Sequence, residues 1–271
     1  MVLRGLRSSA FRFQRAIPHL FVIWKSEGAL ILYISNCLLW TQWTMRFPVA
    51  PNLDCWRTHS SLRKLILRDC SELLFHREGL PSNLRELEIC RCNQLTSQVD
   101  WDLHRLTSLT KLTIKGGCEY VELFPKECLL PSSLTCISIS DLPNLKSLDS
   151  RGLQRLASLL QLDIRNCPEL QFPTGSELQH LISLKIFRIY LCPRLQSLTE
   201  AGLHHLATLE TLYIVNCPKL QYLTKERLPD SLSYLYVYKC PSLEQQHQFE
   251  KGQEWRYISH IPKIEIDDVL F

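Results

Sequence analysis

Glycine is scarce, nine residues in 271, and none of the nine precedes a lysine. A Gly-x-x-x-x-Gly-Lys-Ser/Thr phosphate loop is therefore absent, and with it the commonest nucleotide site. No Gly-x-Ser-x-Gly elbow and no set of kinase motifs occurs, which removes two large enzyme classes. The chain also lacks Cys-x-x-Cys and His-Glu-x-x-His, the spacings that hold zinc. Its longest apolar run, from Ala29 to Trp40, is twelve residues broken by Ser35 and Asn36, too short for a helix to span a bilayer. No Asn-x-Ser/Thr acceptor is present, so nothing marks the chain for N-glycosylation.

Charge is likewise small once its distribution is considered. The formal net charge of +4 arises in residues 1–60, where seven Lys or Arg stand against Glu27 and Asp54. The rest holds 24 basic and 25 acidic residues, without the basic footprint of a nucleic-acid binder. Hydrophobic residues make up 45% and charged residues 21% of the chain, the balance of a protein with a packed core. Twelve cysteines would suggest disulfides in a short secreted chain. Here the length and the missing glycosylation acceptors favour a reducing compartment, and the cysteines call for an explanation by position.

A repeat supplies it. Leu-x-x-Leu-x-Ile/Leu-x-x-Cys begins at Leu62, Leu84, Leu109, Leu134, Leu159, Leu184, Leu209 and Leu232, with a partial copy at Ile261. The steps are 22, 25, 25, 25, 25, 25, 23 and 29 residues. A period of this kind marks a leucine-rich-repeat array. The fourth and sixth positions are two apart and share one face of a strand. One repeat cannot bury that face alone, so neighbours must stack. The expected fold is an α/β right-handed solenoid, a horseshoe with a parallel sheet on its concave face. Its convex returns should be short helical, 3-10 or loop segments. Gly152–Leu156 and Gly202–Leu206 suit one helical turn, whereas Leu80-Pro81, Leu130-Pro131 and Leu228-Pro229 block a helix. The repeat domain is expected over 61–271, about eight repeats plus a last strand and a cap containing Trp255, Tyr257 and Ile258.

Cys70, Cys92, Cys167, Cys192, Cys217 and Cys240 all fall at the ninth position; Gly117 takes that place in the third copy and Leu142 in the fourth. A small, weakly polar group suits a buried turn there, because the turning backbone leaves groups to satisfy. Metal binding or stacked disulfides are the sharper alternatives. No catalytic set, cofactor site or metal site is read, and the chain is not expected to be an enzyme. His204-His205 and Asp267-Asp268 read as solvated surface.

The outward fifth position runs Ile66, Glu88, Thr113, Ser138, Asp163, Arg188, Tyr213, Tyr236, Glu265. Such variety beside unchanging core positions points to recognition. Tyr190, Tyr213, Tyr234, Tyr236 and Tyr238 should all face outward near Arg188 and Asp163, a composition typical of protein interfaces. Cross-strand stacking that only stiffens the sheet is the alternative. Residues 1–60 fit no repeat. Arg4, Arg7, Arg12 and Arg15 faintly suggest a transit peptide, and a degenerate cap or a truncated start is the other reading.

Cys-Pro-Lys-Leu-Gln-Tyr-Leu at 217–223, Lys-Glu-Arg-Leu-Pro-Asp-Ser-Leu at 225–232 and the tail from Gly252 to Ile266 carry a resemblance. Over about 61–268 the chain resembles the C-terminal leucine-rich-repeat region of plant coiled-coil, nucleotide-binding (NB-ARC) disease resistance proteins. The resemblance implies a recognition module that senses a pathogen effector or a guarded host protein and restrains a nucleotide-binding switch. It also implies a cytoplasmic location, with nuclear or membrane-peripheral sites as alternatives. The coiled-coil and nucleotide-binding modules of that family are not in this sequence, so nucleotide binding is assigned to no residue. A nucleotide-binding domain of a related receptor would then be engaged in trans. An adaptor of the F-box type, using its repeats as a general interaction scaffold, is the other functional reading.

Overall fold

Alternation of one buried and one outward side chain dictates a strand in every repeat, and a computed structural model shows each of them. It describes residues 20–25, 29–35, 62–69, 80–92, 103–117, 119–173, 177–246, 255–267 and 269–270. In chain order the strands are β1 (Leu20–Lys25), β2 (Ala29–Ser35), β3 (Leu62–Arg68), β4 (Glu86–Cys90) and β5 (Lys111–Lys115). They continue with β6 (Leu123–Phe124), β7 (Cys136–Ser140), β8 (Ser147–Leu148), β9 (Gln161–Arg165) and β10 (Ile186–Tyr190). The last are β11 (Thr211–Val215), β12 (Tyr234–Tyr238), β13 (Lys263–Ile266) and β14 (Val269–Leu270).

Nine of them, β3, β4, β5, β7 and β9 to β13, form a continuous parallel ladder, one strand per repeat. Register is kept across the array: Leu112, Ile137, Leu162, Phe187, Leu212 and Leu235 are successive partners. At one end β2 runs parallel to β3 and pairs antiparallel with β1, and at the other β14 pairs antiparallel with β13. The fold is a leucine-rich-repeat solenoid. Ser61, where the repeat domain was expected to begin, the arginines before residue 16, and Cys70 lie outside the described residues.

The fourth and sixth residues of each repeat are buried, and between them the fifth is half-exposed, as the pattern of β7, β9, β10, β11 and β12 shows. Most parallel sheets are covered on both faces; this one leaves the outer face open. Where Phe187 replaces leucine in β10, the return supplies Phe172, and the two rings meet edge to face at 6.5 Å.

The returns are short. Single helical turns occur at Leu103–Arg105, Ser150–Leu153 and Leu203–His205. Asp149 caps the second by accepting the Arg151 N–H at 3.0 Å. Gly152 is obligatory there, since a Cβ would stand 1.8 Å from the Pro125 carbonyl oxygen. A second, two-stranded ladder of β6 and β8 runs along the returns. At the C-terminal end Ile258, in the turn Trp255–Ile258, is fully buried, with Trp255 and Tyr257 packed against the same core.

A further regularity appears immediately after each strand. Asp69, Arg91, Gly116, Asp141, Asn166, Leu191, Asn216, Lys239 and Asp267 all adopt positive φ, between 43° and 64°. The left-handed turn swings the chain inward. It also aims the N–H at the next repeat: Asn166 donates to the Tyr190 carbonyl at 2.8 Å and Leu191 to that of Val215 at 2.9 Å.

One residue on, the ladder cysteines Cys92, Cys167, Cys192, Cys217 and Cys240 are free thiols with no exposed surface. Each donates to the carbonyl two residues before it, as Cys92 does to Cys90 at 3.2 Å and Cys167 to Arg165 at 3.5 Å. The thiol is a second donor to a carbonyl that already accepts the turn N–H of the preceding repeat, as Tyr190 does from Asn166 and Val215 from Leu191. Hydrogen bonding to the Cys192 thiol, together with burial, pushes Cys217 up to about 12, against a pull from Cys240. Cys240 is raised further by its hydrogen bond to Cys217. Gly117 interrupts the ladder for a steric reason: φ is +74° and a Cβ would lie 2.5 Å from the Cys92 nitrogen.

Candidate recognition face

The outward residues of the ladder divide into three stretches. Over β3 and β4 the face is ion-paired, Lys64 with Glu86 at 2.9 Å and Arg68 with Glu88 at 3.6 Å. Over β5 and β7 it is made of short side chains, Thr113, Cys136, Ser138 and Ser140, bordered by the exposed Lys111 and Lys115. Over β11 and β12 it is aromatic, with Lys263 and Glu265 of β13 at its edge.

Strand alternation gathers the tyrosines. Tyr213 meets Tyr234 edge to face at 5.5 Å and Tyr236 at 5.7 Å. Tyr236 in turn approaches Tyr234 at 6.2 Å and stacks on Tyr238 at 6.2 Å. Cations cover the rings: Arg188 lies 5.3 Å from the Tyr213 centroid, Lys263 4.4 Å from Tyr234 and Lys239 5.1 Å from Tyr238. Such contacts are favourable because the ring face is electron-rich. Arg188 also reaches Asp163 at 3.4 Å, while Gln161 donates to the other oxygen of that carboxylate at 2.7 Å. The Tyr234 hydroxyl donates to Glu265 at 2.8 Å, and burial plus this acceptor push it up to about 12.

Six of the seven residues expected on the site are thus joined in one network: Asp163, Arg188, Tyr213, Tyr234, Tyr236 and Tyr238. Tyr190 stands apart from the ring cluster, with Arg165 and Val215 as its register neighbours, and burial raises its hydroxyl. All seven are half-exposed. Lys239 and Lys263 were not expected here, and Glu265 was expected on the outward row but not in this cluster. The signal was present, since Lys263 and Glu265 take the third and fifth positions of the partial repeat at Ile261 and pair in register with Tyr234 and Tyr236.

The surface features set aside in the sequence are found in the returns and at the end of the array. His204 contacts Glu226 at 3.3 Å, and its ring lies 3.8 Å from that of His205 at a tilt of 46°. Asp267 accepts the Lys239 N–H at 2.6 Å, and Asp268 lies outside the described residues. Among the described residues no helix is long and apolar enough to cross a membrane.

These features define the class, a leucine-rich-repeat region with an open sheet face of the kind used for contact with other proteins. Beyond the class, no family model matches the chain. A stretch of 74 residues is 47% identical to an Arabidopsis thaliana protein that carries the provisional name of a disease resistance protein. That stretch is 27% of this chain and 5% of the relative, so the chain spans a small part of it. Among solved structures it is similar to the functional domain of InlJ from Listeria monocytogenes, described as including a cysteine ladder. The TM-score is 0.40 at 19% identity, over 68% of this chain and 43% of that one. It is also similar to CroV588, a circular leucine-rich-repeat protein, with a TM-score of 0.26 at 15% identity over 66% and 40% of the two chains.

Proposed function

We propose that this chain is the protein-recognition module of a plant intracellular immune receptor. In this reading it is not an enzyme; it binds a pathogen effector or a guarded host protein through the tyrosine-rich end of its sheet. It also restrains, in trans, the nucleotide-binding domain of a related receptor, and it works in the cytoplasm. One observation carries the reading. Four tyrosines and three cations are assembled on the open face of a scaffold whose buried positions barely vary. Tyrosine and arginine are the residues on which binding energy concentrates, and the short stretch shared with a protein provisionally named for disease resistance supports the biological setting.

The test is a Tyr213→Ala/Tyr236→Ala double variant, assayed by co-precipitation with the nucleotide-binding domain of a related receptor and with candidate effectors. Partner binding should weaken by about 2 kcal/mol or more while thermal melting stays near that of the wild type. Lost stability with unchanged binding would assign the rings to stiffening the sheet instead.

A further inference from the structure

The acids and cations of the open face do not balance, and the imbalance has an address. Its outward acids, Glu86, Glu88, Asp163 and Glu265, each take a cation: Lys64, Arg68, Arg188 and Lys263. Lys111, Lys115 and Arg165 are exposed and pair with no acid among the described residues. Lys115 and Arg165 flank Ser140 in register, on β5 and β9 with β7 between them. Tyr190 follows Arg165 in the same row. The row therefore offers an ammonium, a hydroxyl, a guanidinium and a phenol, with the short Thr113 and Ser138 beside the first two and the paired Asp163 and Arg188 beside the last two. Asp141, the nearest acid along the chain, accepts from Asn166 at 2.7 Å.

We propose that this central row is the docking site for an acidic segment of a protein partner, whose carboxylates sit over Lys115 and Arg165 and whose aromatic or apolar side chain lies on Tyr213 and Tyr236. The proposal rests on the reading that the sheet face recognises protein, and it names the partner's chemistry. Spacing selects carboxylates spread along a chain over a single phosphate. The two cations stand two strand spacings apart, about 9.6 Å, and Lys111 is four residues further down β5. A peptide crossing the strands as a polyproline-II helix rises about 3.1 Å per residue with three residues per turn, so acids three residues apart lie on one side and would meet both cations. Another three or four residues would carry the segment to the tyrosines of β11 and β12. Charge complementarity of this kind sets orientation and speeds encounter, and it fades with salt.

The experiment is selection of a displayed random peptide library against the full chain and against a Lys115→Glu/Arg165→Glu variant. The wild type should enrich peptides with two acids three residues apart and an aromatic beyond them, and the variant should enrich Lys and Arg instead. In fluorescence anisotropy the best acidic peptide should bind the reversed chain at least about tenfold more weakly, with unaltered melting. Should the reversed chain fold poorly, Lys115→Gln/Arg165→Gln must show the same loss. Equal acidic enrichment by both chains, or none by the wild type, overturns the proposal. The same peptide with phosphoserine for its acids, if bound about tenfold tighter, overturns the carboxylate assignment. Binding lost in Tyr213→Ala/Tyr236→Ala but kept on charge reversal would leave the recognition reading standing and remove this one.

Discussion

Leu191 is a branched apolar residue at a φ of 57°, in a row that elsewhere holds Asp, Asn and Gly at six of nine places. A left-handed conformation costs an ordinary L-residue about 1–2 kcal/mol, and asparagine tolerates it better. Leu191→Asn should therefore raise stability by about 1 kcal/mol and the melting temperature by about 2–4 °C, readable by calorimetry; a lower melting temperature would mean that Leu191 packs more than it strains. Gly117 teaches the opposite lesson. Restoring the ladder consensus with Gly117→Cys forces a Cβ to within 2.6 Å of the Arg91 backbone at positive φ. That variant should melt below the wild type although it perfects the repeat. The ninth-position cysteines themselves were legible, because the period isolates them. The left-handed row was not, because Arg91, Leu191 and Lys239 carry no turn signal and only the ladder geometry imposes the turn on them.

At the scale of the element, the thiol ladder separates two kinds of cysteine. Cys128 is exposed, whereas Cys167, Cys192, Cys217 and Cys240 are buried. The nucleophile is the thiolate, so under native conditions iodoacetamide should label Cys128 quickly and leave the ladder unmodified until the chain unfolds. Rapid labelling of Cys217 would contradict the burial described for it. The same groups set the alkaline limit of stability. The folded Cys217 thiol titrates above its ordinary value of 9.0, and the Tyr234 hydroxyl above 10.0. Folding thus favours their protonated forms, and the stabilisation is fully present below pH about 9 and is lost as pH rises toward 12. Urea midpoints measured between these limits should fall with pH, and less steeply for Tyr234→Phe. Strand positions could be read from Leu-x-x-Leu-x-Ile alone. The small ladder of β6 and β8 could not, since two-residue strands in the returns leave no alternation to detect.

For the whole molecule, stability is a sum over neighbouring repeats. Leu162 is buried at the middle of the ladder, between Ile137 and Phe187. Leu162→Ala should cost about 2–5 kcal/mol, and Leu162→Asp should abolish the cooperative transition in circular dichroism; unchanged melting would contradict the stacked core. Much of the face was legible at this scale because a constant period turns sequence distance into contact. Asp163 and Arg188, 25 residues apart, are neighbours for that reason, and so are Lys185 and Glu210 at 2.6 Å. What escaped the sequence was the state of each pairing. No pattern of letters says that Arg188 divides itself between Asp163 and Tyr213, or that Lys115 is left over; that depends on side chains reaching across 22 or 25 residues of return.

The left-handed turn after every strand has a mechanical corollary. Each such turn before the last hands its N–H to the next repeat, and Asp267 hands its own back to Val237, so strand and turn let go together and adjoining repeats are held by the same kind of bond. A chain pulled from its C-terminal end would come away one coil at a time. Each 25-residue coil would release about 85 Å of slack at full extension. Under load the molecule would behave as a spring that pays out in even lengths, and the coil bearing Leu191 at its turn would be among the first in its neighbourhood to yield.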